Sequence, residues 1–485
     1  MANQSTMDNH GIVMADICIF YAKEDRGFVE KLDTILSRHW TVWWDRKNQE
    51  ANWRQAVDRE LQDAKCVIPI WSVATQHHET VPDEAKLARQ LDVPLIPIRT
   101  VDCLPPLGFG STSYEDVFNW GGEEEHSGIQ TLIRLISKVT AVSNKQTRAA
   151  SPLDVDNKRI SFPTFFFSVS SHETPLQPDK ALEVLRLYKA KTILVSAYDL
   201  QAKRRLAMKN TIEQCQENGS IVLLDSGNYE AHRTNDRDWS PDHLHRVFED
   251  TPHDFAFCFD NVSPPESEEA IVEDVLNAVR RDQNATDKPV FPIVHVPKDK
   301  NGNHRADLFL KVLPKLVRAL RTPPAIVALP ERELGDGILN RAKMVHAIRR
   351  ELDTFGISTR LHMLGTGNPL SLAILTAAGA DSFDGLEWCR VVADHETGRL
   401  FHFQQADLFR FQSQMAKSEI TRLAMTEDGI NFEAKALFHN LAFFDEWVGR
   451  VLDRKEKARL PTLLANSLPR GAIEELENQL PEVFA

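Results

Sequence analysis

The sequence predicts an α/β protein in two parts: a parallel sheet covered by helices on both faces, then a (β/α)8 barrel with a helical C-terminal extension. Three observations predict it. Apolar runs of strand length alternate with amphipathic helical stretches through the N-terminal third. The mostly polar stretch 141–158, which has no hydrophobic period, interrupts that rhythm. The rhythm then resumes for about 250 residues, a usual length for such a barrel. The predicted divisions are therefore a sheet domain at 14–140, a linker at 141–158, a barrel at 159–410 and a helical extension at 411–485.

A chain of 485 residues leaves room for two or three domains. With 57 basic against 70 acidic residues its net charge is −13, so the chain as a whole gives no support for nucleic-acid binding. Any such contact needs a local basic patch. Cys18, Cys66, Cys103, Cys215, Cys258 and Cys389 have no CxxC or CxC spacing, and several lie inside strand-like runs. They read as free thiols of a reducing, cytoplasmic setting, with no metal site. No apolar run approaches the roughly 20 residues of a membrane span. Residues 1–10 are polar, lack a signal-peptide core and read as a loose leader.

In the first domain, Asp16-Ile-Cys-Ile-Phe-Tyr-Ala-Lys-Glu-Asp25-Arg26 reads as an opening strand and its loop. Phe28, Leu32, Ile35 and Leu36 follow at helical spacing. Trp40-Thr-Val-Trp-Trp-Asp45-Arg46 reads as a second strand leading into a loop. Trp53 precedes a helix from Gln55 to Leu61. Cys66-Val-Ile-Pro-Ile70 is a buried-looking strand, and a helix starts near Pro82, whose missing N–H costs nothing in a first turn. Asp83 and Glu84 fall in that turn, where carboxylates favour the positive helix end. They also lie beyond the carboxyl end of a strand, where α/β sheets bind ligands. Val93-Pro-Leu-Ile-Pro-Ile98 and Leu104-Pro-Pro-Leu-Gly108 give the fourth strand and its exit. Ile129, Leu132, Ile133 and Ile136 mark the closing helix.

In this order these segments resemble a TIR domain, with a flavodoxin-like parallel sheet. Catalytic members cleave the bond between nicotinamide and ribose in NAD+ with a glutamate on this helix, and Glu84 stands at its position. The resemblance implies that Phe20, Tyr21, Trp44, Asp45 and Trp53 bind the dinucleotide, which is a substrate and not a cofactor. It also implies self-assembly through TIR domains. Thr80 stands where many members have Trp, and Phe20 where many have Ser. A carboxylate suits the chemistry: departing nicotinamide leaves an oxocarbenium-like sugar, which a nearby anion stabilises.

In the second part, eight strands are predicted at Thr164–Val169, Thr192–Ser196, Ile221–Asp225, Phe255–Asp260, Val290–His295, Ile326–Leu329, Arg360–Leu364 and Asp381–Asp384. Asp225, Asp260 and Asp384 fall at carboxyl ends, where TIM-type barrels collect catalytic groups. The segments Phe162-Pro-Thr-Phe-Phe-Phe-Ser-Val, Ile193-Leu-Val-Ser-Ala-Tyr-Asp-Leu200, Leu224-Asp-Ser-Gly-Asn-Tyr-Glu230, Phe259-Asp260, Leu364-Gly-Thr-Gly-Asn-Pro-Leu370 and Ala380-Asp-Ser-Phe-Asp384 resemble the queuine/archaeosine tRNA-guanine transglycosylase family. That resemblance implies Asp384 as a nucleophile on the nucleoside C1′, Asp225 as its acid/base partner and Asp260 as a ligand to the base. The family's zinc-binding cysteines are absent after Asp384. His295-Val296 and Pro330-Glu331 replace its Gln-Gly and Gly-Gly pairs. Phe432, Ala436, Leu437, Leu441, Phe444, Trp447 and Val451 then recur at near-helical spacing in the extension.

Together the two resemblances imply an NAD+ hydrolase or cyclase acting in bacterial antiviral defence. Its barrel would be a sensor for a modified base, nucleoside or nucleic-acid trigger. Two other readings stand beside this one. In the first, the TIR domain is a non-catalytic scaffold, with Trp43, Trp44 and Asp45 as exposed contacts. In the second, the barrel exchanges a base on a nucleoside or nucleic acid.

Overall fold

The computed structural model describes residues 15–38, 40–44, 57, 60–61, 64–77, 80–91, 93–110, 112–150, 152–155, 157–171, 174, 176–200, 205–320, 323–452 and 460–484. The chain forms two compact units, with the main division between Thr147 and Arg148.

The first unit is a five-stranded parallel sheet, in the order β2-β1-β3-β4-β5. Its strands are β1 (Ile17–Phe20), β2 (Val42–Trp43), β3 (Cys66–Trp71), β4 (Ile98–Arg99) and β5 (Glu115–Asp116). The central β1 and β3 are buried along their whole length. Alternate side chains therefore feed two separate cores. Ile17, Ile19, Ile68 and Ile70 pack with Val29, Leu32 and Ile35 of helix Arg26–Leu36 and with Ile129, Leu132 and Ile136 of helix Ser127–Ala150. Cys18, Phe20, Val67 and Trp71 face the other way, against Val81, Ala85 and Ala88 of helix Thr80–Gln90. This is the two-faced parallel sheet that the apolar runs predict.

The second unit opens with an antiparallel hairpin, β6 (Leu153–Val155) and β7 (Lys158–Ile160). A ring of eight parallel strands follows: β8 (Thr164–Val169), β9 (Thr192–Ser196), β10 (Ile221–Asp225), β11 (Phe255–Phe257), β12 (Val290–Phe291), β13 (Ile326–Pro330), β14 (Arg360–Leu364) and β15 (Ser382–Gly385). Just past β12, the Ala328 N–H donates to Pro292 O at 2.9 Å and the Val294 N–H to Ala328 O at 3.0 Å, so the ring closes onto β13. Strands β8, β9, β10 and β14 match the predicted bounds to the residue. Strands β11 and β12 end short of the predicted Asp260 and His295, and after β12 Pro292 has no N–H to continue the ladder.

The stretch 141–158, read as a linker from its polarity, carries regular structure. Helix Ser127–Ala150 runs through its first part, and the hairpin takes up the rest. Val155 and Ile160 pack into the barrel core with Phe166, Leu223 and Phe255. Lys158 Nζ reaches Asp254 Oδ1 at 2.9 Å and Ser220 O at 2.7 Å, both at the amino ends of strands. The hairpin thus covers the barrel end opposite the predicted site.

The predicted helical extension lies on the barrel. Helix Phe432–Leu452 lies against β8 as part of the barrel's outer layer: Phe444 stacks on Phe165 at 4.6 Å, and Trp447 Nε1 donates to Pro369 O at 3.0 Å. Its predicted apolar face is buried except at Phe432. A short antiparallel pair, β16 (Val391–Ala393) and β17 (Leu400–His402), precedes it. No helix among the described residues is long and apolar enough to cross a membrane. All six cysteines are buried free thiols.

Candidate functional sites

In the first unit Phe20 is the last residue of β1, Tyr21 follows it, Trp44 follows β2 and Glu84 lies on the helix after β3. Ser72, directly after β3, donates its hydroxyl to Asp25 Oδ2 at 2.6 Å, tying the loop after β1 to the loop after β3. The Ser72 N–H is in turn held by Thr75 Oγ1 at 2.7 Å. Helix Thr80–Gln90 starts two residues earlier than Pro82 suggests, so Asp83 lies in its first turn and Glu84 just after it. Asp83 is exposed and paired with Lys86 at 2.9 Å. Glu84 is half-buried. Burial pushes the Cys18 thiol on β1 well above its usual range, and the charges of Glu60 and Glu84 push it in the same direction. The Glu84 carboxylate is therefore within electrostatic reach of the central strand.

Phe20 is buried among Val57, Leu61, Val81 and Ala85. Tyr21 is half-buried and meets Trp44 edge-on at 5.9 Å, with the Arg26 guanidinium over the Trp44 ring at 5.9 Å. Trp44 is only 6% exposed, and Trp43 packs against the opposite core. This corrects the expectation that both are exposed aromatics at a loop edge. Asp45 and Trp53 lie outside the described residues, as does most of the predicted helix from Gln55 to Leu61.

In the second unit, Asp225, Asp260, His295 and Asp384 meet in one cavity of about 270 Å³ at the carboxyl end of the barrel. Each aspartate is held differently. Asp384, on β15, accepts from Ser168 Oγ at 2.9 Å and from the Gly365 N–H at 2.8 Å, with His362 Nε2 at 3.3 Å. Asp260 accepts from Ser226 Oγ at 2.6 Å and pairs with His295 Nε2 at 2.8 Å. The other His295 nitrogen meets Glu333 Oε1 at 2.7 Å, and Glu333 Oε2 accepts from the Val296 N–H at 3.0 Å. Burial alone would lower the His295 pKa, but its bonds to Asp260 and Glu333 outweigh it and hold the imidazolium up to about 10. The same contact overcomes burial at Asp260 and keeps that carboxyl below its usual range.

Asp225, the last residue of β10, goes the opposite way. Burial raises its pKa well above the ordinary value, and Glu230, Asp260 and Asp384 add to the rise. Burial also lifts Glu230 to about 7 and raises Glu387. The cavity thus holds an aspartate whose pKa is lowered by a paired imidazolium beside carboxyls whose pKa burial raises. Such a division of ionisation lets one site both accept and donate protons.

The turn that places Asp225 and Glu230 is specific. Gly227 has φ of 72°, and a Cβ there would sit 2.4 Å from the Tyr198 nitrogen. Only glycine fits between β10 and helix Asn228–Thr234. Sequence reading missed Glu230, Glu333 and Glu387. Glu230 closes the quoted Asp225-to-Glu230 motif, so its place in that turn was the available signal. Glu333 lies 38 residues from His295, and only the fold joins them. Among the described residues, no cluster of three or more His, Cys, Asp or Glu has an arrangement that would hold a metal ion.

Residues 17–133 match the TIR domain family. The first unit therefore contains a TIR domain, as the order of its segments predicts. No family match supports the transglycosylase resemblance of the barrel. No curated protein matches the chain.

Proposed function

We propose that the protein is an NAD+ hydrolase or cyclase that cleaves the bond between nicotinamide and ribose in its TIR domain, under the control of the barrel as a ligand-binding unit. The observation that carries this reading is the half-buried carboxylate of Glu84 beside β1, in a domain that matches a family containing NAD+-cleaving members. Glu84 would steady the sugar cation as nicotinamide leaves. Tyr21 and Trp44, with Asp45 and Trp53, would frame the dinucleotide, and Phe20 would back the site from the core. Uncontrolled NAD+ loss is lethal to a cell, so the activity must be conditional. A bacterial antiviral effector, switched on when the barrel meets a modified base, nucleoside or nucleic acid and its TIR domains assemble, fits that requirement. The test is nicotinamide release from NAD+ by the full chain and by Glu84→Ala, with and without candidate ligands. Equal release by both proteins removes the reading, and no release under any assembly condition favours a scaffold.

A second reading, base exchange by the barrel itself, is favoured by the ionisation pattern of its cavity. Asp384 would attack the sugar and Asp225, whose pKa burial raises, would give its proton to the leaving base. A covalent sugar adduct at Asp384, lost in Asp384→Asn, tests it.

A further inference from the structure

We infer that the barrel unit pairs with a second copy of itself about a two-fold axis, through an exposed apolar face made by Leu408, Phe411 and Met415 with Leu423 from the adjoining helix. This contact uses no residue of the TIR domain or of the barrel cavity, and it is independent of both functional readings.

Residues Phe403–Gln414 run as one helical stretch, a 3-10 segment passing into an α-helix. Leu408, Phe411 and Met415 recur along it at spacings of three and four, which puts them on one face. They are 65%, 50% and 72% exposed, and Leu423 on helix Glu419–Thr426 is 56% exposed. Among the described residues, six of the eight large apolar side chains exposed in the barrel unit fall between Phe401 and Phe432. Single exposed leucines are ordinary on a protein surface, whereas such a concentration marks an interaction site.

The face is not free to turn inward. The other side of its helix is pinned: Gln412 Nε2 donates to Asp394 Oδ1 and Ser413 Oγ meets His439 Nδ1, each at 2.6 Å. Gln412 Oε1 also accepts from the His395 N–H at 3.0 Å. On the adjoining helix Thr421 Oγ1 donates to Phe438 O at 3.0 Å, and Arg410 Nη2 reaches Met425 O at 3.1 Å to tie the two helices together. Rotation that buried Phe411 would strand these buried polar groups.

The size and the charges of the face fit a second copy. Its four side chains present about 450 Å² of surface, taking roughly 190 Å² for each when fully exposed. A standard interface buries about 800 Å² on each partner, roughly 60% of it apolar, so the face is the apolar share that one partner contributes. Asp407 and Lys417 are both exposed, towards opposite ends of the helical stretch. A two-fold contact sets the same patch on both chains. With the two helices antiparallel, Asp407 of one chain comes to the Lys417 end of the other, and opposite charges meet at the rim.

Sedimentation of the full chain across a concentration series tests the pairing. The expected result is a species of twice the chain mass that grows with concentration. Phe411→Asp and Met415→Asp are expected to leave the single-chain mass. Leu206→Asp, at a leucine exposed elsewhere on the barrel, is expected to pair as the wild type does, with thermal melting as a check that all three fold. All six native cysteines are buried, so Phe411→Cys adds one exposed thiol. A short bis-maleimide is expected to join that thiol to its copy and to leave Leu206→Cys unjoined. A chain that stays single at every concentration, pairing that survives Phe411→Asp, or cross-linking of Leu206→Cys as complete as that of Phe411→Cys would overturn the assignment.

Discussion

Removing His295 offers the sharpest structural test of the barrel site. Its imidazolium is only 6% exposed and lies between Asp260 at 2.8 Å and Glu333 at 2.7 Å. His295→Gln leaves two buried carboxyls facing a neutral amide. Breaking a buried ion pair by removing one partner costs about 3–5 kcal/mol. A second route gives a similar figure. Raising a histidine from 6.5 to about 10 corresponds to about 5 kcal/mol of preference for the charged form. The direction of the pH effect follows from the same shift. Because the folded state holds the proton more tightly than the unfolded chain, the stabilisation is complete below about pH 6.5. It fades as pH rises and is lost through about pH 10. Thermal melts of the full chain and His295→Gln should therefore differ widely at pH 6, by less at pH 8 and little above pH 10. The triple variant Asp260→Asn, His295→Gln, Glu333→Gln should recover much of the loss at pH 6. A gap between wild type and His295→Gln that is the same at pH 6 and pH 10 would refute this reasoning.

Three further outcomes follow from the geometry. Gly227→Ala should destabilise the barrel by about 1–3 kcal/mol, because the new Cβ meets the Tyr198 backbone and φ there is positive; an unchanged melting temperature would contradict this. Lys158→Met removes the cation beside buried Asp254 and should cost about 1–3 kcal/mol, with faster hydrogen exchange at Leu153–Ile160; exchange no faster than wild type would show that the hairpin is held by its apolar contacts alone. Ser72→Ala breaks the bond to Asp25 and should lower any NAD+ cleavage more than it lowers the melting temperature, which steady-state kinetics beside melting curves would reveal.

Much of the architecture was legible because it rests on local pattern. Thr164–Val169 and Ile221–Asp225 are apolar runs ended by turns, and buried parallel strands look like that wherever they occur. The strand-end position of Asp225 and Asp384 follows directly, and with it their meeting in one cavity. What was not legible depends on distant partners. His295 is held between Glu333 and Asp260, yet nothing near any of the three residues announces it. The burial of Trp44 against Tyr21 depends on how the sheet packs, so an aromatic at a strand end read as an exposed contact. The helix and hairpin in the polar stretch 141–158 were hidden for another reason. Among the described residues its hairpin buries only Val155 and Ile160, too few side chains to leave a period. Helix Phe432–Leu452 showed its apolar face clearly, but pattern alone could not tell a barrel layer from an added lobe.

The central claim is that Glu84 carries NAD+ cleavage, and the most direct measurement is nicotinamide release by the full chain against a folded Glu84→Gln variant. Losing the carboxylate should lower the rate by at least about 100-fold, the scale of removing one electrostatic contact to a transition state, with no change in melting temperature. A variant that turns over NAD+ at the wild-type rate would contradict the account.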